Sequence, residues 1–303
     1  MKIAVIGPGA MGMLFGSYLS QKHDVTLVGT NPAKMQTITE SGVTIREMDG
    51  SERTYHPRAT ADTAALSPVD LVIVQVKASA SEAALTKNQN LIGPGTILMT
   101  LQNGMGHDAL LSRFAARGQI VIGTTQQGSY KLGEASVCHS GLGKTFLGAV
   151  TGDSARFAAL AGVFADCGFP CEVCAQVQGM IWDKLMINAS SSVLSGILQA
   201  AQGYVEQDPH AWALAEKLIR ELCAAATAEG YPFDADEQIA RIRLHLQKAP
   251  DGFTSIYADL KAGRRTEVDV INGAVVAAGH RHNIPVPTHE FVVELVHAME
   301  TRA

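Results

Sequence analysis

No block of like charges, low-complexity tract or repeat of about 20 to 50 residues occurs in the 303-residue chain, which excludes solenoids, arrays and charged tails. No run of 18 apolar residues occurs, so no membrane-spanning helix is expected. The first residues read as a folding strand rather than a signal peptide, and a cytoplasmic location is expected. Charged residues are only 17% of the chain and the formal net charge is −5. Such a balance offers no basic surface for nucleic acid or an anionic membrane. Cysteines number five. Cys167, Cys171 and Cys174 cluster, but no second C-x₂-C pair or nearby histidine pair accompanies them, so no metal site is expected. Reduced, mostly buried thiols are the simpler reading. The length and a 47% apolar content suit one or two globular domains.

The feature the chain does carry lies at its start. Ile3 to Ile6 is a β-branched run, followed at once by Gly7-Pro8-Gly9-Ala10-Met11-Gly12, then helix-compatible sequence to about Gln21, then the apolar run Val25 to Val28. Strand, G-x-G-x-x-G turn, helix and strand together predict a dinucleotide-binding unit. Gly7 allows the tight turn, Gly9 the approach of a pyrophosphate, and Gly12 close packing of helix on strand. The pyrophosphate would meet the unpaired N–H groups at the helix start. A glycine turn without a ligand is the plainer alternative. At the end of the second strand, where an Asp or Glu would select NAD, stand Thr30 and Asn31, with Lys34 on the following turn. The missing carboxylate tilts the choice to NADP, and the missing arginine leaves NAD open.

Further apolar runs at Leu71–Val76, Thr96–Leu101 and Ile120–Thr124 alternate with helical stretches near 79–90 and 107–116. That alternation predicts a parallel sheet, with ligands gathered beyond the carboxyl ends of its strands. Lys77, Asn103, Thr124 and Thr125 fall at those ends. Residues 41–60 read as a small strand excursion and 128–150 as antiparallel edge strands. From Val177 the pattern becomes helical: about 177–198, 209–229, 235–246, 266–278 and 288–301. The expected fold class is thus an α/β Rossmann dinucleotide-binding domain (1–173) followed by an all-helical C-terminal domain (174–303).

Within the first of these helices, Lys184, Asn188 and Ser192 recur at i, i+4 and i+8 among Trp182, Leu185, Met186, Ile187 and Val193. A lysine in such company either snorkels to water or serves a polar cleft, and three polar residues in line favour the cleft. Thr266-Glu267-Val268-Asp269 resembles a helix start, with Thr266 as cap and Glu267 in the first turn. From that segment alone, Glu267 need do no more than complement the helix dipole. His280, His282, His289 and His297 lack metal-ligand spacing and are expected to be structural or exposed.

Taken together, the phrases Gly7–Gly12, Val76-Lys77-Ala78, Gln102-Asn103-Gly104-Met105-Gly106, His139–Gly143, Trp182–Asn188, Thr254-Ser255 with Asp259, and Arg265–Gly273 resemble the ketopantoate reductase family of 2-keto acid reductases. The resemblance covers nearly the whole chain. It implies a Rossmann domain and a helical domain with the active site between them. It also implies a catalytic lysine at Lys184 and a substrate-binding glutamate at Glu267. Lys77 would bind cofactor, and Asn103 would lie near nicotinamide and substrate. Asn188, Ser192 and Ser255 would line the substrate site. Two departures stand out: Thr30-Asn31 where the family often has Arg, and Ser192 where it often has a second Asn. Part of the family consists of NAD-dependent D-2-hydroxyacid dehydrogenases, which the Leu101–Asp108 phrase also resembles. The partners expected are a small-molecule 2-keto acid and, for assembly as a homodimer, a second copy of the chain, with no nucleic acid and no membrane. The reaction implied moves hydride from nicotinamide to a keto carbon while Lys184 protonates the oxygen. A free lysine titrates near about 10.4, and burial beside a cationic ring lowers that towards the useful range. A dinucleotide sensor without catalysis is the remaining alternative.

Overall fold

A computed structural model describes residues 1–301. Its contacts divide the chain into two compact units, Met1–Gln102 with His107–Val177, and Asn103–Gly106 with the residues from Gln178 onward. Relative to a single cut at 173/174, the change of unit falls four residues later, and a four-residue loop is counted with the helical part.

The first unit contains β1 (Lys2–Ile6), α1 (Ala10–Leu19), β2 (Asp24–Val28), α2 (Pro32–Ser41), β3 (Val43–Arg46), β4 (Glu52–Tyr55), β5 (Arg58–Thr60), β6 (Leu71–Val74), α3 (Ser81–Lys87), β7 (Ile97–Thr100), α4 (His107–Leu111), β8 (Ile120–Thr125), β9 (Gly128–Gly133), β10 (Ser136–Gly141), β11 (Thr145–Ala149), α5 (Ala158–Asp166) and β12 (Cys171–Val173). Eight strands form one sheet in the order β12-β11-β8-β7-β6-β1-β2-β5. From β5 to β8 all neighbours are parallel. This is the doubly wound order, and the reversal of strand order across the sheet falls between β1 and β6, where the glycine turn emerges. Leu71 to Val74 are all fully buried, as expected of a strand covered on both faces. Phe15 of α1 meets Phe164 and Phe169 edge-on at 5.9 and 4.8 Å, packing α1 against α5 and the segment before β12.

The expected edge strands of 128–150 separate into two sheets. β9 and β10 join β3 and β4 in a second, four-stranded sheet, whereas β11 lies inside the main sheet, antiparallel to β8 and parallel to β12. Burial of Thr145 and Leu147 explains the interior place of β11, which a glycine-rich, mixed sequence does not advertise.

The second unit is helical. α6 (Val177–Ile187) begins at the boundary and runs into a π-turn (Asn188–Ser192) and α7 (Val193–Leu198). There follow α8 (Gln202–Gln207), α9 (Pro209–Ala228), α10 (Ala235–Lys248), α11 (Ser255–Lys261), α12 (Asn272–His282) and α13 (Pro287–Glu300). α9 starts where the Asp208 carboxylate accepts from the His210 and Ala211 amides at 3.0 and 2.8 Å, with Pro209 in the first turn. Its buried residues Ala211, Ala215, Leu218, Leu222 and Ala225 recur at helical spacing. They pack in a core with Trp182, Leu185, Met186, Ile242, Val275 and Val296. Each large side chain buried there contributes about 1.5–3 kcal/mol.

Two helical expectations are corrected. The helix of 177–198 runs without a gap but is not regular, because the π-turn adds one residue to its ladder. The helix of 266–278 begins at Asn272, and Thr266 is not its cap. Instead the Thr266 hydroxyl donates to Glu300 Oε1 at 2.6 Å and accepts from the Val268 amide at 3.2 Å. A short 3₁₀ turn (Val268–Val270) intervenes, and Glu267 precedes the helix rather than lying in its first turn. The run Val268, Val270, Ile271 is β-branched at its crucial positions and resists a regular start.

Candidate active site

At the glycine turn the two kinds of glycine separate by what a side chain would meet. A Cβ on Gly12 would lie 2.0 Å from Gly7 O, and one on Gly7 would press on the Gln75 and Val76 backbone at 2.7 Å. Both are needed by the fold itself. A Cβ on Gly9 would meet only Gln75 O, at 4.0 Å, and its backbone is extended (φ −74°, ψ −167°). The protein has room for a side chain there, so the fold itself does not require glycine at this position. α1 starts with no side-chain cap and no acidic residue in its first turn, leaving its N–H groups and dipole to an anion. Gln75, whose Cβ would be 3.5 Å from a Cβ on Gly12, has a buried Nε2 without a partner among the described residues. A dinucleotide pyrophosphate fits these groups. Gly9→Ala is accordingly expected to leave the melting temperature within about 1 °C while raising the Michaelis constant for cofactor about 10- to 100-fold. Thermal unfolding beside cofactor titration checks it, and an unchanged constant for cofactor sinks the assignment.

The segment after β2 is more committed than the sequence suggests. The Asn31 carboxamide oxygen caps α2, accepting from the Lys34 amide at 3.1 Å, so its amide N–H₂ is what it offers a ligand. Thr30 is exposed. Lys34 Nζ turns back to donate to Pro8 O at 2.7 Å. Burial, aided by the Lys131 charge, lowers its pKa to about 8, against the opposite pull of Glu134. Lys77, exposed, follows β6. Thr124 and Thr125 are buried, and the Thr125 hydroxyl bonds with that of Thr145 at 2.8 Å. The Thr125 hydroxyl thereby ties β8 to β11.

In the second unit, Asn103 begins the four-residue loop, which is held by the Met105 amide donating to Val270 O at 2.9 Å. Gly104, at φ +90°, lies so close to Val270 O that a Cβ would sit 2.4 Å from it, a conformation and a contact only glycine permits. The loop that Asn103 begins thus packs against the 3₁₀ turn that follows Glu267.

Lys184, on α6, is half-buried. Burial lowers its pKa to about 8, while the Glu267 carboxylate pulls it upward. These two sequence-selected residues, 83 positions apart, act on one another electrostatically. Asn188 opens the π-turn and is half-buried, whereas Ser192 closes it and is nearly buried. The extra residue rotates Ser192 from an i+8 position to one equivalent to i+7, nearer the line of Lys184. Ser192 O accepts from the Thr254 hydroxyl at 3.2 Å, and that hydroxyl also caps α11, whose first residue is the exposed Ser255. Thr254 thereby ties the segments carrying Ser192 and Ser255. Asp259 is buried and pairs with Arg264 at 3.1 Å.

Sequence reasoning did not single out Gln75 or Asn272, and it named Thr254 only within the Thr254-Ser255 phrase. Only Thr254 left a signal, as a cap residue directly before a helix. His280 and His282 lie on the surface against Glu290 and Glu229, but His289 is fully buried.

The family model described as Ketopantoate reductase PanE/ApbA matches residues 3–152, and that of its C-terminal part matches residues 176–300. A 2-dehydropantoate 2-reductase of Halobacterium salinarum is 30% identical over 298 residues, spanning 98% of each chain. The structure of D-mandelate dehydrogenase with NADH and anilino(oxo)acetate is similar at a TM-score of 0.94 and 28% identity, covering 100% of this chain and 99% of that one. A 2-dehydropantoate 2-reductase from Geobacter metallireducens GS-15 matches at a TM-score of 0.92 and 25% identity, over 98% of this chain and 99% of that one.

Proposed function

Because the chain belongs to the ketopantoate reductase family, we propose that it is an NADPH-dependent oxidoreductase reducing 2-dehydropantoate (ketopantoate) to D-pantoate, a step of pantothenate biosynthesis. The observation that carries this reading is the pair Lys184 and Glu267 in one helical unit, the lysine held near pH 8 by burial. When bound, the reduced nicotinamide supplies the hydride that the keto carbon receives. Gly7, Pro8, Gly9, Ala10, Met11 and Gly12 would hold its pyrophosphate, Lys77 and Asn103 would serve the nicotinamide half, and Thr30, Asn31 and Lys34 the adenosine half. The carbonyl oxygen gains negative charge and takes a proton from the Lys184 ammonium. Glu267 accepts a hydrogen bond from the terminal hydroxyl of ketopantoate. Asn188 and Ser255 hold the carboxylate and carbonyl, with Ser192 on the wall beside them, fixing the face open to hydride.

A second reading, an NAD-dependent D-2-hydroxyacid dehydrogenase, draws support from the likeness to D-mandelate dehydrogenase with NADH and from the absence of arginine at Thr30-Asn31. A steady-state panel of 2-keto acids with NADPH and NADH separates the two. Ketopantoate with NADPH is expected to give the highest kcat/KM. A preference for NADH above about tenfold, which is about 1.4 kcal/mol, with a bulkier keto acid supports the second reading; no turnover of any branched 2-keto acid overturns the first, and no turnover of any 2-keto acid overturns both.

A further inference from the structure

The π-turn is held from behind by a buried polar relay that the proposed chemistry does not use. Asn272, the first residue of α12, is completely buried, as is His289 of α13. Asn272 Nδ2 donates to Ala189 O, within the π-turn, at 2.9 Å. It also lies 3.1 Å from His289 Nδ1, while His289 Nε2 lies 2.9 Å from Leu218 O of α9. One proton arrangement satisfies every contact. A carbonyl can only accept, so Nε2 carries the hydrogen, Nδ1 is bare, and it accepts the second N–H of Asn272. The ring is then neutral, in keeping with burial pushing its pKa down. Turning the amide over would set two oxygens against one another at Ala189. Asn272 Oδ1 is left without a partner among the described residues, and a buried orphan of this kind costs about 1–3 kcal/mol. Both donors are kept engaged at that cost.

The other side of the relay is the segment bearing the proposed substrate residues. Ala189 stands between Asn188 and Ser192, and Ser190 and Ser191 turn their hydroxyls back on the carbonyls of Met186 and Ile187. Such back-bonding competes with a regular helical ladder and loosens it. We propose that Asn272 and His289 are positioning residues that fix the register of the π-turn, and through it the placing of Asn188 and Ser192 relative to Lys184. The proposal rests on the reading of those three residues as the substrate site.

The test uses the full-length chain with Asn272→Leu, His289→Leu and His289→Asn, the last because its side-chain oxygen falls where Nδ1 falls. With ketopantoate and NADPH, both leucine variants are expected to raise KM for the keto acid about tenfold and lower kcat, with the dissociation constant for NADPH within twofold of wild type. His289→Asn is expected to restore KM to within about threefold even where its melting temperature stays low. Amide hydrogen exchange of the unliganded proteins should quicken at least tenfold over 188–198 in the leucine variants and not in α9. Loss of thermal stability with unchanged KM, kcat and local exchange overturns the proposal, as does exchange that quickens uniformly. Should wild type turn over no keto acid, the substrate reading fails on its own, and the exchange data still decide whether the relay sets the register. A leucine variant that does not fold leaves the decision to His289→Asn, which must then match wild type in KM and in exchange over 188–198.

Discussion

Lys184→Ala is expected to lower kcat for keto-acid reduction about 10²- to 10⁴-fold, the range of a positioned proton donor, with NADPH binding retained. The reason is chemical. Hydride arriving at the keto carbon leaves an alkoxide on the oxygen, and a group that delivers a proton as charge develops lowers the barrier most when its pKa lies near working pH. Burial brings Lys184 to about 8. The sign of the pH dependence follows. Reduction needs the ammonium form, which predominates below about pH 8, so kcat/KM should be level there and fall tenfold per unit above it. Oxidation of the alcohol needs the neutral amine and should rise to the same point. Lys184→Arg should not rescue the rate, because guanidinium does not release its proton in this range. Pre-steady-state turnover beside fluorescence titration of NADPH checks both halves. Full cofactor binding with unreduced kcat would falsify the proton-donor role.

Glu267→Gln should show two effects from one atom change. The first is on the substrate. A hydrogen bond to a charged group is worth about 1.5–3 kcal/mol, so KM for ketopantoate should rise roughly 10- to 150-fold. A 2-keto acid without the terminal hydroxyl should be affected much less. The second is on Lys184. Glu267 pulls its pKa up against burial, so removing the charge moves the break in kcat/KM to lower pH. Equal losses for hydroxylated and plain substrates, with the break unmoved, show that Glu267 merely supports the 3₁₀ turn behind it.

How much of this could be read from the sequence depended on whether the cause was local. The parallel sheet was legible because strands buried on both faces must be near-continuous apolar runs, as in Leu71–Val74. The glycine turn was legible because Gly12 is required by its contact with Gly7 inside the motif and Gly7 by its left-handed backbone, φ +102°. Lys184 and Glu267 were selected by phrase, one of them against the plainer reading of its own segment. What escaped has a partner far along the chain. Thr266 looks like a helix cap until Glu300, 34 residues later, takes its hydroxyl. The π-turn follows from a run of serines that could equally continue an α-helix, and Asn272, 83 residues beyond Ala189, holds it. β11 reads as an edge because nothing in five residues says that β12 will come to lie outside it.

The main sheet ends on each side in a strand of three residues, β5 and β12. Arg58 stands on one, in an ion pair with Asp24, and Glu172 on the other, paired with Lys144. Short, charged borders give a foreign strand few free amides and carbonyls to zip onto and a charge to displace in doing so. The main sheet, whose central strands are strongly apolar, is thereby guarded at both borders against extension by a strand from another molecule.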